Sequence, residues 1–139
     1  MADMLSRKTH SERQDLIVLI VSSNDLFHVT NLKEFEKSTS EVLQKYAKLT
    51  DKLVIQGPGR VFDAPALPLP VRLFYKLQAP KYASVISAEA KKYKNVLHVN
   101  PINPPMDLTG YGHSNSPDKF HPDDEGYRFW FDMLKPNLK

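Results

Sequence analysis

The stretch Asp15-Leu-Ile-Val-Leu-Ile-Val21 is an apolar, mostly β-branched run that ends at the polar residues Ser22-Ser23-Asn24-Asp25. A strand with one face in water alternates apolar and polar side chains, whereas a parallel strand covered on both faces is apolar throughout. This run shows no such alternation. We therefore predict a buried strand of a parallel sheet, with Asn24 just beyond its carboxyl end.

Five further segments continue the pattern along the chain. Asn31 and Glu34 have the spacing of a capping box at the start of a helix. The predicted elements are a helix from Asn31, a strand at 53–55, a helix at 69–93 that Pro80 breaks or kinks, a strand at 96–99 and a helix at 123–134. The second of these helices is expected to bury Leu73, Phe74 and Leu77. The alternation of strands and helices indicates an α/β domain with a parallel sheet.

The composition is that of an ordinary globular domain. The chain has 139 residues, of which 25% are charged and 41% hydrophobic, and a formal charge of +3. We predict a polar N-terminal segment at 1–14 and a single domain at 15–139. Nucleic-acid binding is not expected, because the basic residues form no stripe with aromatic residues. Since the chain contains no cysteine, disulfides and thiolate metal sites are excluded.

The apolar segments bear on localisation. Residues 1–14 are polar and charged, and they lack the apolar centre of a secretory signal. The longest apolar run, at 16–21, is far shorter than the roughly 20 residues that a membrane span needs. We therefore expect a soluble, cytoplasmic protein without a membrane span.

A second stretch, Ser116-Pro-Asp118-Lys-Phe-His121-Pro-Asp-Asp-Glu-Gly126-Tyr127, carries groups suited to acid–base catalysis. In acyl transfer, a histidine takes the proton of the nucleophile and later returns it to the leaving group. A neighbouring carboxylate holds the ring in one tautomer and stabilises the imidazolium. We predict His121 as the general base and Asp118, three residues earlier, as the carboxylate that orients it.

Asn24 is the third candidate site residue. Ligands of open parallel sheets bind outside the carboxyl ends of the strands. Asn24 follows the first predicted strand, and Asp118 and His121 follow the third, so all three are expected at the same edge of the sheet. We predict that the Asn24 amide donates a hydrogen bond to the oxyanion, a contribution typically worth about 10²–10³ in rate.

Other interpretations of these residues are open. Asp118 with His121 also fits a helix cap beside a surface histidine, and Asn24 fits an ordinary turn. His113, Asp118 and His121 match no closed zinc spacing, so no metal site is predicted. The stretch Gly112-His113-Ser114 lacks the second glycine and the strand–turn–helix context of a nucleophile elbow, and its serine is rejected as the nucleophile.

These segments make the chain similar to the SGNH (GDSL-type) esterase and lipase family. The similarity covers about residue 15 to the C-terminus and is most specific at Asp118-x-x-His121-Pro-x-x-x-Gly126-Tyr127. It implies a flavodoxin-like, three-layer α/β/α fold. It also implies hydrolysis of carboxylic esters with small or medium acyl chains, with His121, Asp118 and Asn24 in the roles given above. The implied partner is a small-molecule ester, and no cofactor is implied.

The chain departs from the family pattern in two places. Ser22 stands where the family's Asn block usually opens with glycine. The Gly-Asp-Ser block, which the family's first strand delivers and which carries its nucleophile, occurs nowhere in the 139 residues. The nucleophile is therefore unknown. We expect a truncated fold that contains only the last three strands of the family's 2-1-3-4-5 sheet.

Assembly and activity both depend on the strands that are not found. Without them, 16–21 would form an exposed apolar edge, which favours pairing with another chain. We expect a homo-oligomer, or a complex with a separate N-terminal piece, through this edge. The alternative function is a catalytically inactive remnant or pseudoenzyme that acts as a binding or interaction module. A third is a plain α/β interaction domain.

Overall fold

The computed structural model describes residues 13–103 and 116–139. Three strands, β1 (Gln14–Ile20), β2 (Thr50–Gln56) and β3 (Val96–Val99), form one sheet in the order β1-β2-β3. Both pairings are parallel, with Val18 opposite Val54 and Val54 opposite Leu97. The predicted α/β fold with a parallel sheet is confirmed, and each predicted strand is present within a few residues of its expected bounds.

Within the described residues, four α-helices connect and follow the strands. They are α1 (Ser23–Phe27), α2 (Leu32–Ala47), α3 (Leu69–Ala90) and α4 (Asp124–Leu134). Short 3-10 turns lie at Val61–Asp63 and Lys135–Asn137. Asn31 caps α2, since its side chain accepts a hydrogen bond from the backbone N–H of Lys33. Asp123 caps α4 in the same way, through the N–H of Gly126.

Helices cover both faces of the sheet. On one face, α2 and α3 bury the main apolar core against β2, with Phe35 and Tyr82 in ring contact and Leu53 fully buried. On the other face, Leu134 of α4 packs with Val54 in a smaller cluster. The arrangement is three layered, as the resemblance implies, because residues of β2 alternate between two apolar layers.

The sheet has an open side at β1. In the part of the chain that the structure describes, β1 pairs with β2 alone. Val18 and Ile20 are 38% and 54% exposed, so the prediction that this strand is buried on both faces is wrong. An exposed apolar edge of this kind favours pairing with a further strand. None of the described helices is long and apolar enough to cross a membrane.

The course of α3 differs from the prediction in two respects. Of the break or kink predicted at Pro80, the break does not occur, since Pro80 lies inside one continuous helix. The turns on both sides of Pro80 are fixed by buried Ala79 and by Tyr82, whose hydroxyl donates to the carbonyl of Thr30 at 2.5 Å. Tertiary packing of this kind overrides the local cost of the proline. The helix also ends at Ala90 rather than at 93.

The predicted core of α3 is wrong in its first half. Leu73, Phe74 and Leu77 are 52%, 42% and 72% exposed. The side of the helix that carries Tyr75, Ala79 and Ile86 packs on α2 and the sheet instead. The helix is apolar on more than one side, so its sequence alone does not show which side the sheet covers.

Candidate active site

A cavity of about 290 Å³ opens where the carboxyl ends of the strands meet. Each strand is followed in the chain by residues that line it: Asn24 after β1, Arg60 after β2 and His121 after β3. This is the edge at which open parallel sheets bind ligands. Asn24 and His121, predicted independently from segments far apart in sequence, therefore lie in the wall of one cavity.

Asn24 is held at the start of α1 by a tightly folded backbone. Ser22, just before the helix, has φ of 78°, in the left-handed region that favours glycine. Its carbonyl accepts the N–H of Leu26 at 3.0 Å, and the carbonyl of Asn24 accepts the N–H of His28 at 2.9 Å. The position where the family usually carries glycine thus has the backbone conformation that explains the preference.

The segment before Asn24 presses against the turn after β2. Gly57 has φ of 153°, and a Cβ atom there would lie 2.2 Å from the carbonyl oxygen of Val21. Two residues on, the N–H of Gly59 donates to Oγ of Ser23 at 3.1 Å. Since a side chain at Gly57 would separate the two segments, glycine is what allows Asn24 and the 57–63 turn to share one wall of the cavity.

His121 is fixed by Asp118 through both its backbone and its ring. Oδ1 of Asp118 accepts the N–H groups of Phe120 and His121, each at 3.0 Å, and Oδ2 lies 2.6 Å from Nδ1 of His121. An ionised carboxylate only accepts hydrogen bonds, so Nδ1 carries the proton and Nε2 is the basic nitrogen of the neutral ring. Asp118 itself is not among the residues that line the cavity.

The same contacts act on the charge of Asp118. The hydrogen bond from the His121 side chain, followed by those from the two backbone N–H groups, holds the pKa of Asp118 well below its usual range. The carboxylate therefore stays ionised at neutral pH. Because the pair is largely exposed, with side-chain exposures of 69% and 50%, its effect on global stability is small.

Arg60 and Asp63 are lining residues that the sequence analysis missed. Nε of Arg60 donates to Oδ2 of Asp63, and one terminal nitrogen donates to the carbonyl of Ile102 at 2.9 Å. Both side chains are nearly buried. They follow Gly57-Pro58-Gly59, the turn directly after β2. The rule that ligands bind beyond strand ends applies equally to β2 and was the signal that could have found them.

The rest of the cavity wall is mainly aromatic. Phe27, Phe120, Tyr127, Phe129 and Trp130 all line it. The ring centroids of Phe27 and Phe120 are 5.3 Å apart, in an edge-to-face arrangement. An apolar wall with a few convergent polar groups is typical of a small-molecule site. The cavity therefore combines a basic imidazole, an amide and an ion pair with space for an apolar group.

The described residues supply neither an evident nucleophile nor a metal site. Ser23 lines the cavity, but its Oγ accepts the Gly59 N–H and it lies outside any Gly-Asp-Ser block. Among residues 13–103 and 116–139, no three His, Asp or Glu side chains cluster as metal ligands would. His113 and the rejected stretch Gly112-His113-Ser114 lie outside the described residues, as do residues 1–12 of the polar N-terminal segment.

Comparison with known proteins finds one matching family and a solved structure with a similar fold. The family model of GDSL-like Lipase/Acylhydrolase matches residues 1–134. A solved structure from Streptococcus pneumonia, provisionally described as a platelet activating factor, is similar with a TM-score of 0.72 and 19% sequence identity. The match covers 90% of this chain and 60% of that chain, so the protein spans less than two thirds of its length. No curated protein matches. The family match covers nearly the whole sequence, and the chain belongs to the GDSL-like lipase/acylhydrolase family.

Proposed function

We propose that this chain carries the acid–base and oxyanion half of a carboxylic ester hydrolase. The observation that supports this most is the Asp118–His121 pair, with His121 and Asn24 in the wall of the same cavity. A histidine oriented by a carboxylate and an amide donor facing the same space are the groups that acyl transfer to water requires.

His121 acts as the general base through Nε2. With Nδ1 donating to Asp118, Nε2 takes the proton of the attacking hydroxyl, and the carboxylate stabilises the imidazolium that results. The proton then passes from Nε2 to the leaving alkoxide. Water repeats the sequence on the acyl-enzyme. Asp118 stays ionised throughout, because its hydrogen bonds keep its pKa low.

Asn24 donates its side-chain N–H to the oxyanion of the tetrahedral intermediate. The backbone before Asn24 is held by the left-handed conformation of Ser22 and by the close approach of Gly57 to the Val21 carbonyl. A donor held in place before the reaction stabilises developing charge without reorganisation. We expect loss of this single donor to lower the rate by about 10²–10³.

The cavity suits an ester with a small or medium acyl chain. Its volume of about 290 Å³ lies at the lower end for small-molecule sites, and its wall is mainly aromatic. An acyl group of a few carbons would be buried among Phe27, Phe120 and Trp130. The Arg60–Asp63 pair offers donors and acceptors to a polar group of the substrate but, being close to neutral as a unit, no strong preference for either charge.

The nucleophile is proposed to arrive on a strand that pairs with β1. No Gly-Asp-Ser occurs in the sequence, and β1 has an open side in the described residues. In the family's strand order, the strand that delivers the serine lies next to the equivalent of β1. A separate segment bound there would bring its serine to the carboxyl edge beside Asn24. A second copy of this chain would cover the edge but would not supply the block.

A second candidate is a binding module without turnover, and the absent Gly-Asp-Ser block favours it. Triad members act as a unit, so a site without its serine loses nearly all the activity that the triad provides. The cavity and Asn24 would still bind a carbonyl compound. The two candidates thus predict the same ligands and differ in hydrolysis.

The deciding experiment compares the purified chain with His121→Ala in hydrolysis of p-nitrophenyl acetate and butyrate. Turnover above background that His121→Ala abolishes supports the hydrolase and shows that a nucleophile reaches the cavity. Equal background rates in both proteins contradict activity of this chain by itself.

Light scattering of the chain at rising concentration tests whether two copies pair through the exposed edge of β1, since a strict monomer contradicts this self-pairing. Ile20→Lys, which places a charge on that edge, is the matched variant.

A further inference from the structure

The first half of α3 exposes a stripe of apolar side chains. Leu69, Leu73 and Leu77 follow at intervals of four residues, so they lie above one another on one side of the helix. They are 64%, 52% and 72% exposed, and Phe74, three residues before Leu77 and next to it on the helix surface, is 42% exposed. Isolated exposed leucines are ordinary, but a continuous apolar surface marks an interaction site. These four residues are called the α3 stripe below.

The surroundings of the α3 stripe are basic. Residues 64–88 contain Arg72, Lys76 and Lys81 and no Asp or Glu. Arg72 and Lys76 are four residues apart, so they form a row alongside the leucines. A helix with apolar residues on one side and basic residues next to them matches segments that lie on anionic membrane surfaces.

Aromatic rings connect the α3 stripe to the cavity. The centroids of Phe74 and Tyr75 are 5.5 Å apart, and those of Tyr75 and Phe27 are 5.8 Å apart. Phe27 in turn contacts Phe120, and both of these line the cavity. Ring contacts thus lead from the exposed Phe74 through the buried Tyr75 to the wall of the site.

We propose that the α3 stripe docks this protein on an anionic lipid surface, with the cavity beside the lipid. The leucines and Phe74 would enter the region between headgroups and acyl chains, while the exposed Lys76 and Lys81 would contact the anionic headgroups. A second copy of the chain fits this surface less well, because a two-fold contact between identical basic faces brings like charges together. Only the further consequence, that ester lipids then reach His121, rests on the proposed hydrolase function.

The test is sedimentation of the full chain with sucrose-loaded vesicles, either of phosphatidylcholine alone or of phosphatidylcholine with phosphatidylglycerol in equal parts. We expect binding to the anionic vesicles that weakens as salt rises. The double variant Leu73→Gln/Leu77→Gln should bind about tenfold more weakly or worse, because two exposed apolar side chains no longer enter the lipid. The control Leu97→Gln changes a leucine that is 40% exposed on β3 and should bind as the unmodified chain does.

Three results would overturn the docking proposal. The first is equal binding by the double variant and the Leu97→Gln control, and the second is no binding to anionic vesicles at all. The third is a dimer in size-exclusion chromatography that the double variant abolishes, which would assign the α3 stripe to self-association. Circular dichroism of all variants checks that they fold. His121→Ala should bind vesicles normally, so failure of the hydrolase proposal and failure of docking are separately visible.

Discussion

Asp118 contacts His121 at both its backbone and its ring: Oδ1 accepts the backbone N–H at 3.0 Å, and Oδ2 lies 2.6 Å from Nδ1 of the ring. One side chain therefore sets both the path of the chain and the tautomer of the imidazole. The pair occupies an exposed loop before α4, where these hydrogen bonds and the edge-to-face contact between the rings of Phe120 and His121 hold it.

Asp118→Asn should change the tautomer of His121 while leaving the fold intact. The amide oxygen can still accept the two backbone N–H groups, but the amide nitrogen would then face Nδ1 and donate to it. Nε2 would carry the ring proton and cease to be a base. Nitrogen NMR of the imidazole should show this shift, and hydrolysis by an active complex should fall by a factor on the order of 10²–10⁴. A ring still protonated at Nδ1 would contradict the assigned role of Asp118.

Ser22→Gly should stabilise the protein. Ser22 is 4% exposed and has a positive φ, and its Oγ finds no partner among the described residues. Glycine removes the left-handed strain and the buried hydroxyl together, which we expect to raise the free energy of unfolding by about 1 kcal/mol. Urea denaturation measures it. Ser22→Ala is the control, because it removes the hydroxyl and keeps the Cβ atom. It should raise the free energy of unfolding less than Ser22→Gly does.

Gly57→Ala should have the opposite effect. Its Cβ atom would lie 2.2 Å from the carbonyl oxygen of Val21, a backbone atom directly after the end of β1. The backbone must move, so we expect a loss of about 3 kcal/mol or more in urea denaturation. An unchanged urea midpoint would contradict the close contact between Gly57 and the Val21 carbonyl.

His98 should make stability fall in mild acid. Burial lowers the pKa of His98 from its ordinary value of 6.5, and the hydrogen bond from Nε2 to the Gly57 carbonyl offsets only part of this. Below that ordinary value the unfolded chain binds a proton that the folded chain does not. The free energy of unfolding therefore decreases as pH falls from about 6.5 and levels off once the folded ring is protonated.

Urea midpoints at about pH 7.5 and about pH 5.5 measure the contribution of His98. His98→Gln keeps a donor for the Gly57 carbonyl and does not titrate, so its midpoint should fall less between the two pH values. An identical fall in both proteins would assign the acid sensitivity to other groups.

The positions of the strands were predictable, because each contains apolar, β-branched residues and ends at polar, glycine or proline residues. The burial of β1 on both faces was not, because that burial depends on a strand beside β1, and β1 lies at the open side of the described sheet with Val18 and Ile20 exposed. The half of α3 that holds Leu73 and Leu77 was not predictable. Apolar residues occur on several sides of that helix, and which side is covered depends on α2 and the sheet, which lie far away in sequence.

The candidate site was predictable in part for a similar reason. Asn24 and His121 follow strands, so topology alone brings them to one edge. Arg60 and Asp63 follow β2 by the same rule, but a Gly-Pro-Gly stop carries no chemical signal of its own. The contact between Arg60 and Asp63 depends on how the turn after β2 folds, with Arg60 also donating to the carbonyl of Ile102, and the sequence does not show this.

The most direct test of the account is an NMR titration with N-methylbutyramide, an uncleavable relative of a butyrate ester that needs no nucleophile to bind. We predict that the side-chain amide of Asn24 and the ring of His121 shift together with one dissociation constant, and that Asn24→Ala weakens binding while Leu97→Gln does not. Shifts confined to other surfaces, or a ligand that moves His121 without Asn24, would contradict a single ester site built from these two residues.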